Sequence, residues 1–184
     1  MKMHLSRPQM LAAWRLHRLL EPIRDDASVT RSDGLDLDAL LAPEMDAWYT
    51  DLLLNGPPHL LVSHDIAGSV SVHPCAGNGM AVTLPPETVR VLSVRISSWQ
   101  TTARILPPAS VPYLCGGNPY LHPLPQSPVA VRIGDELRLY PAVEGATVTE
   151  LKCVLHTEGE YEFMQEALAS VAPLDSGVIT SLFN

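Results

Sequence analysis

The sequence predicts an α+β fold. N- and C-terminal helices pack together, and an antiparallel β-sheet of hairpins with a long proline-rich loop is inserted between them. Three observations carry this. Apolar residues recur at helical spacing as far as Asn55, the period drops to two from about residue 69, and helical spacing returns after Tyr161. Helices, then a block of strands, then helices, with no internal repeat, is the order of an α+β chain. The 184 residues suffice for one domain with a real core. They divide into a helical part (1–56), a β-rich part (60–157) with its loop at 105–128, and C-terminal helices (160–184).

The first helix is announced by Ser6 and Gln9 at capping-box spacing, with Pro8 in the first turn, where its missing N–H costs little. Met10, Leu11, Trp14, Leu16, Leu19 and Leu20 give it a broad apolar face, and Pro22 closes it. Residues 24–35 read as a polar, acidic linker. Leu37, Leu41, Met45, Trp48 and Leu52 then form one stripe, with Pro43 expected to divide this second helix. Asn55–Gly56–Pro57–Pro58 is a stop signal with a left-handed cap.

Val70 and Val72 alternate with polar neighbours, Gly77–Asn78–Gly79 turns the chain, and Met80, Val82 and Leu84 alternate again, so 69–84 reads as a hairpin. Residues 88–99 give the clearest strand. Val89 and Val91 share one parity while Leu92, Val94 and Ile96 share the other, which predicts a β-bulge at 91/92. Residues 105–131 hold no charged residue and 7 of the 17 prolines, which argues against regular structure. Such a loop, carrying Tyr113 and Tyr120, packs either on its own sheet or on another chain. Val129, Val131 and Ile133 lead through Gly134–Asp135 to Leu137 and Leu139, a tight hairpin. Leu151, Cys153 and Leu155 mark a further strand across 147–157. Tyr161, Met164, Leu168 and Val171 suggest a helix stopped by Pro173, and Val178, Ile179, Leu182 and Phe183 a last short one.

Composition narrows the function classes. Charged residues make up only 17%, below the average domain, and the 17 prolines are about twice the usual share. Uncharged irregular surface of this kind is often covered by a partner. The net charge of −8 disfavours duplex nucleic acid and anionic membranes as main partners. Residues 1–18 carry Lys2, Arg7, Arg15 and Arg18 and no acid, whereas 21–51 hold 9 of the 20 acidic residues. This segregation fits either a solvated acidic loop or head-to-tail packing of identical subunits. Cys75, Cys115 and Cys153 form no CxxC pair and read as free thiols of a reducing compartment. The amphipathic start is unlike a secretory leader, and no run of 18 apolar residues predicts a membrane span.

Catalytic patterns are sparse. His59, His64, His73 and Cys75 are the one local cluster with metal-ligand chemistry, without an HExxH or PCxxC pattern. Ser63–His64–Asp65 holds the triad residue types, but consecutively, whereas a triad converges from separate elements. The glycine pairs read as turns, lacking the lysine of a phosphate loop. Glu158, Glu160 and Glu162 read as acids at a helix N-terminus. No catalytic, cofactor-binding or metal residue is assigned. Arg95 and Trp99 share one face of the 88–99 strand, and such a pair can anchor an interface, although a core-edge Trp99 fits better.

LPPETVRVLSVRISSWQ (84–100) and SPVAVRIGDELRLYP (127–141) resemble the strand entry and the LxLYP hairpin of head–tail connector, adaptor or ring proteins of tailed phages and prophages, including those of Bacteroides-type gut bacteria. The resemblance spans 80–171, and the insert at 105–128 departs from it. It implies a non-enzymatic virion protein without cofactor, assembled in the bacterial cytoplasm. Its expected partners are further copies of itself, as in a ring, and portal or tail proteins. Arg90, Arg95, Trp99, Tyr113 and Tyr120 are the interface candidates. The rival readings are a small ligand- or protein-binding module and a metal-dependent hydrolase using the 59–75 cluster.

Overall fold

The computed structural model describes residues 1–19, 37–75, 79–110 and 123–171. The fold is α+β, with antiparallel sheets and helices. The chain forms two compact units: Met1–Val62 with His156–Asn184, and Ser63–Leu155. The second is thus inserted in sequence between the two halves of the first.

The first unit opens on a strand that the sequence reading missed, β1 (Lys2–Ser6). Helix α1 (Arg7–Leu19) follows. Gln9 reaches back to Ser6, whose backbone N–H and hydroxyl both donate to Gln9 Oε1 at 3.0 and 3.1 Å, so the glutamine half of the capping box is present. Met10 and Trp14 are buried, but Leu16 is 55% exposed and lies off the expected face. Helix α2 (Leu37–Asn55) runs through Pro43 unbroken, so the expected division does not occur. Proline removes one ladder bond, and a helix packed along its length by Leu41, Met45, Tyr49, Leu52 and Leu53 tolerates that loss. The stop at Asn55 stands, for a different reason than expected. Gly56 is not left-handed; its N–H donates to Leu52 O at 2.9 Å, and a Cβ there would lie 2.3 Å from that oxygen.

The C-terminal return corrects the expected helix at 161–171. Residues Glu160–Met164 form a strand, β10, antiparallel to β1 in the register Met3↔Phe163 and Leu5↔Tyr161. Only Gln165–Ala169 is helical (α3). The sequence EYEFM buries Tyr161 and Phe163 with period two, and these rings meet α2: Tyr49–Tyr161 centroids lie 4.8 Å apart and Trp48–Phe163 5.5 Å. The ends of the chain therefore join through a strand pair. The acids at 158–162 belong to its turn and strand, not to a helix N-terminus.

The second unit is β-rich. Strands β3 (Val72–Cys75) and β4 (Gly79–Thr83) form the expected hairpin. The strand β5 (Thr88–Ile96) shows the expected shift between Val91 and Ser93, and two more near its ends. The bulges explain its burial at Thr88, Val91, Val94 and Ile96. β7 (Val129–Ile133) and β8 (Glu136–Tyr140) pair across Gly134–Asp135, with Gly134 at φ +60°, a conformation glycine adopts without strain. Within the proline-rich stretch, β6 (Arg104–Leu106) pairs parallel to β7, so prolines did not exclude a strand there. Strand β9 (Val148–Leu155) lies between β5 and the short β2 (His64–Asp65). The resulting sheets, β2-β9-β5 and β3-β4-β8-β7-β6, bury a shared core including Val82, Val94, Ile96, Leu137, Leu139, Leu151 and Cys153.

The outer edge of β5 is closed by the unit itself. Arg132 donates to the carbonyls of Thr88 (2.7 Å) and Val89 (2.6 Å), and Ala103 N–H donates to Val94 O (2.8 Å). A nine-residue strand left open would invite pairing with another chain.

Candidate interaction surface

The basic start and the acidic belt of the sequence meet inside the first unit. Arg7 forks onto Asp46, with Nη2–Oδ2 at 2.7 Å and Nη1–Oδ1 at 3.2 Å. Arg15 pairs with Asp38 and Arg18 with Glu44. The α1 arginines are thereby matched to the α2 acids. Asp38, Glu44 and Asp46 of the acidic belt are thus matched within the chain, while its acids at 21–36 lie outside the described residues.

Tyr161 completes the Arg7–Asp46 pair. Its hydroxyl donates to Asp46 Oδ1 at 2.7 Å and accepts from Arg7 at 3.0 Å. Partial burial alone would raise the Asp46 pKa. The hydrogen bonds from Tyr161 and Arg7 and the guanidinium charge overcome that, holding the carboxyl below its ordinary value. Burial and then Asp46 push the Tyr161 phenol up to about 12. Tyr49 ties the same strand: its hydroxyl accepts from Glu162 N–H at 2.9 Å. These bonds fasten β10 to α1 and α2.

Helix α2 carries apolar side chains on both faces. Opposite its buried row stand Leu40 (48% exposed), Ala47 and Leu54 (51% exposed), spaced by seven residues. A globular surface helix normally has one apolar stripe, and α2 adds these exposed apolar positions among Glu44, Thr50 and Asp51. Glu44, paired with Arg18, and Asp51 flank this outer row. The charge balance sharpens the picture. Residues 63–155 hold six acidic and six basic side chains, so the net charge of −8 belongs wholly to the first unit.

The second unit has a contrasting stretch. Residues 88–134 contain Arg90, Arg95, Arg104 and Arg132 and no acid. Arg95 and Arg104 are exposed, and their side chains form no ion pair among the described residues. Arg104 N–H bonds Pro128 O, while Gln100 N–H and the Thr101 hydroxyl bond Pro125 O and Gln126 O. These bonds hold the turn bearing Leu124, 59% exposed, beside the 100–104 segment. Arg95 on β5 lies opposite Glu150 in the ladder with β9, and Arg104 lies on β6, the edge strand of the other sheet.

Of the sequence candidates, Arg95 is exposed on β5 and Arg90 is half-buried on the same strand. Trp99 is 2% exposed and belongs to the core, so it does not share a face with Arg95; the strand ends at Ile96 and Trp99 N–H turns back onto Ile96 O. Tyr113 and Tyr120 lie outside the described residues, as do Cys115, the acidic linker and the final short helix. Leu40, Ala47, Leu54 and Leu124 were missed. The first three sit one step off the buried stripe, and a stripe search stops once it has found one face.

The histidine–cysteine cluster is dispersed. His59 is exposed in the first unit, while His64 on β2 pairs with Cys153 on β9, and His73 and Cys75 pair with Ala81 and Gly79 on β4. Among the described residues no group of three or more His, Cys, Asp or Glu could hold a metal ion. Asp65 points its carboxylate at the N–H groups of Ala67 and Leu151, a structural task. Cys153 is a free thiol, and burial pushes it up to about 11. Among the described residues no helix is long and apolar enough to cross a membrane. A scan against protein-family models gives no match, and no curated protein matches the chain in sequence.

Proposed function

We propose that this chain is a non-enzymatic assembly protein, acting through protein–protein contacts, and that it serves as a head–tail connector (adaptor or ring) protein of a tailed phage or prophage. Its partners are copies of itself and portal or tail proteins, and its place is the virion, assembled in the bacterial cytoplasm. The observation that carries the assembly reading is the row of exposed apolar side chains Leu40, Ala47 and Leu54 on the side of α2 away from its buried row. The similarity of 84–100 and 127–141 to connector strands supplies the particular assembly. Co-expression with a portal protein encoded beside it tests the reading. Co-purification of a complex is expected; separate elution of the two, with the chain also failing to self-associate, would overturn it.

A further inference from the structure

We infer that the aromatic cluster of the first unit relays one-electron oxidation from its tryptophans to Tyr161, whose phenol proton then passes to Asp46. The inference is independent of the assembly reading. It rests on ring spacing and on where proton acceptors stand. Four oxidisable rings lie in sequence of contact. Trp14 and Trp48 have centroids 5.2 Å apart, Trp48 and Tyr49 6.5 Å, and Tyr49 and Tyr161 4.8 Å. Electrons cross readily between touching rings, so a hole placed on one member reaches the others. Trp48 is half-buried and offers the entry point, whereas Trp14 is buried.

The acceptors decide where the hole stops. A tryptophan that loses an electron becomes a radical cation, which is trapped once its indole N–H gives up the proton. The Trp14 N–H is buried without an acceptor, so a hole there keeps its proton and stays mobile. A tyrosine holds the hole only if its phenol proton has somewhere to go. The Tyr161 hydroxyl donates to Asp46 Oδ1 at 2.7 Å, within proton-transfer reach of a carboxylate. The Tyr49 hydroxyl instead donates at 3.4 Å to the carbonyl oxygen of Glu162, a far weaker base. The step balances. An external one-electron oxidant takes an electron from Trp48, and Trp48 recovers it from Tyr161 through Tyr49. The phenol O–H bond breaks as the proton bonds Asp46. The products are a neutral tyrosyl radical, a protonated carboxyl and the reduced oxidant. Arg7 Nη1, 3.0 Å from the Tyr161 oxygen, still donates to it afterwards.

Pulse radiolysis of the full chain tests this, with the azidyl radical as the oxidant. In wild type the tryptophanyl absorption should decay as the tyrosyl absorption grows, at a rate independent of protein concentration. Tyrosines oxidised directly set the starting tyrosyl level, not its growth. Tyr161→Phe keeps the ring without a phenol proton and should leave the tryptophanyl band standing. Asp46→Asn keeps Tyr161 and removes the base, so the growth should slow by about tenfold or more. The wild-type growth should also slow in heavy water, a readout that needs no variant. Tyr161→Phe converting as fast as wild type overturns the inference, because the hole then stops elsewhere. Asp46→Asn at the wild-type rate, or no change in heavy water, overturns it as well, because the proton then has another destination. A rate proportional to protein concentration overturns the relay, since the hole would then pass between molecules.

Discussion

Single side chains decide how the first unit is fastened. Tyr161 is buried and its hydroxyl bonds both Asp46 and Arg7. Tyr161→Phe keeps the ring contact with Tyr49 and removes only these bonds, and a loss of about 1 kcal/mol is expected in urea unfolding. The pH dependence has a definite sign. Asp46 has a folded pKa below its ordinary value, so its contribution is full above the unfolded carboxylate pKa and vanishes as pH falls through the folded one. The unfolding midpoints of wild type and Asp46→Asn should therefore differ near neutral pH and converge in acid. Equal midpoints at neutral pH would show that the exposed side of this pair is fully screened. In the second unit, a Cβ on Gly79 would meet the Tyr140 ring at 2.6 Å and Cys75 Sγ at 2.9 Å. Gly79→Ala should cost about 1–3 kcal/mol through overpacking, read as a lower melting temperature.

At the scale of elements, length and period governed what the sequence revealed. Helices α1 and α2, the 72–83 and 129–140 hairpins and the bulged β5 were legible because each repeats its period over several turns or strand residues. The pair β1–β10 was not. Five residues give two or three alternations, and Tyr161, Met164 and Leu168 happen to fall at helical spacing as well. What decides the matter is long-range: Met3 and Leu5 face Phe163 and Tyr161 across the whole sequence. Deleting residues 1–6 should therefore weaken the first unit, measured as early loss of Tyr49–Tyr161 aromatic dichroism. The closure of β5 was equally hidden, since no local pattern marks Arg132 as the donor to Thr88 and Val89. Arg132→Gln should cost about 1–3 kcal/mol and raise thioflavin-positive aggregation, because it opens a long edge strand. The candidate surface was half legible. Arg95 was read as an interface residue, whereas the outer row of α2 emerged only once its inner row was known to be buried.

For the whole molecule the governing fact is asymmetry. One unit carries all of the net charge and exposed leucines on its second helix, while the other is neutral overall. The basic first helix does not supply the opposite pole, as its arginines are spent on α2. Met45→Ala, in the fully buried row, should cost about 2–5 kcal/mol of stability. Leu54→Ala, on the outer row, should cost under about 0.5 kcal/mol and act on association instead. The most direct measurement is the mass of the full chain in solution, by native mass spectrometry across a wide concentration range at low salt. Multiples of 20.0 kDa that grow with concentration and recede with salt are the expected result. A single 20.0 kDa species under every condition would contradict self-assembly.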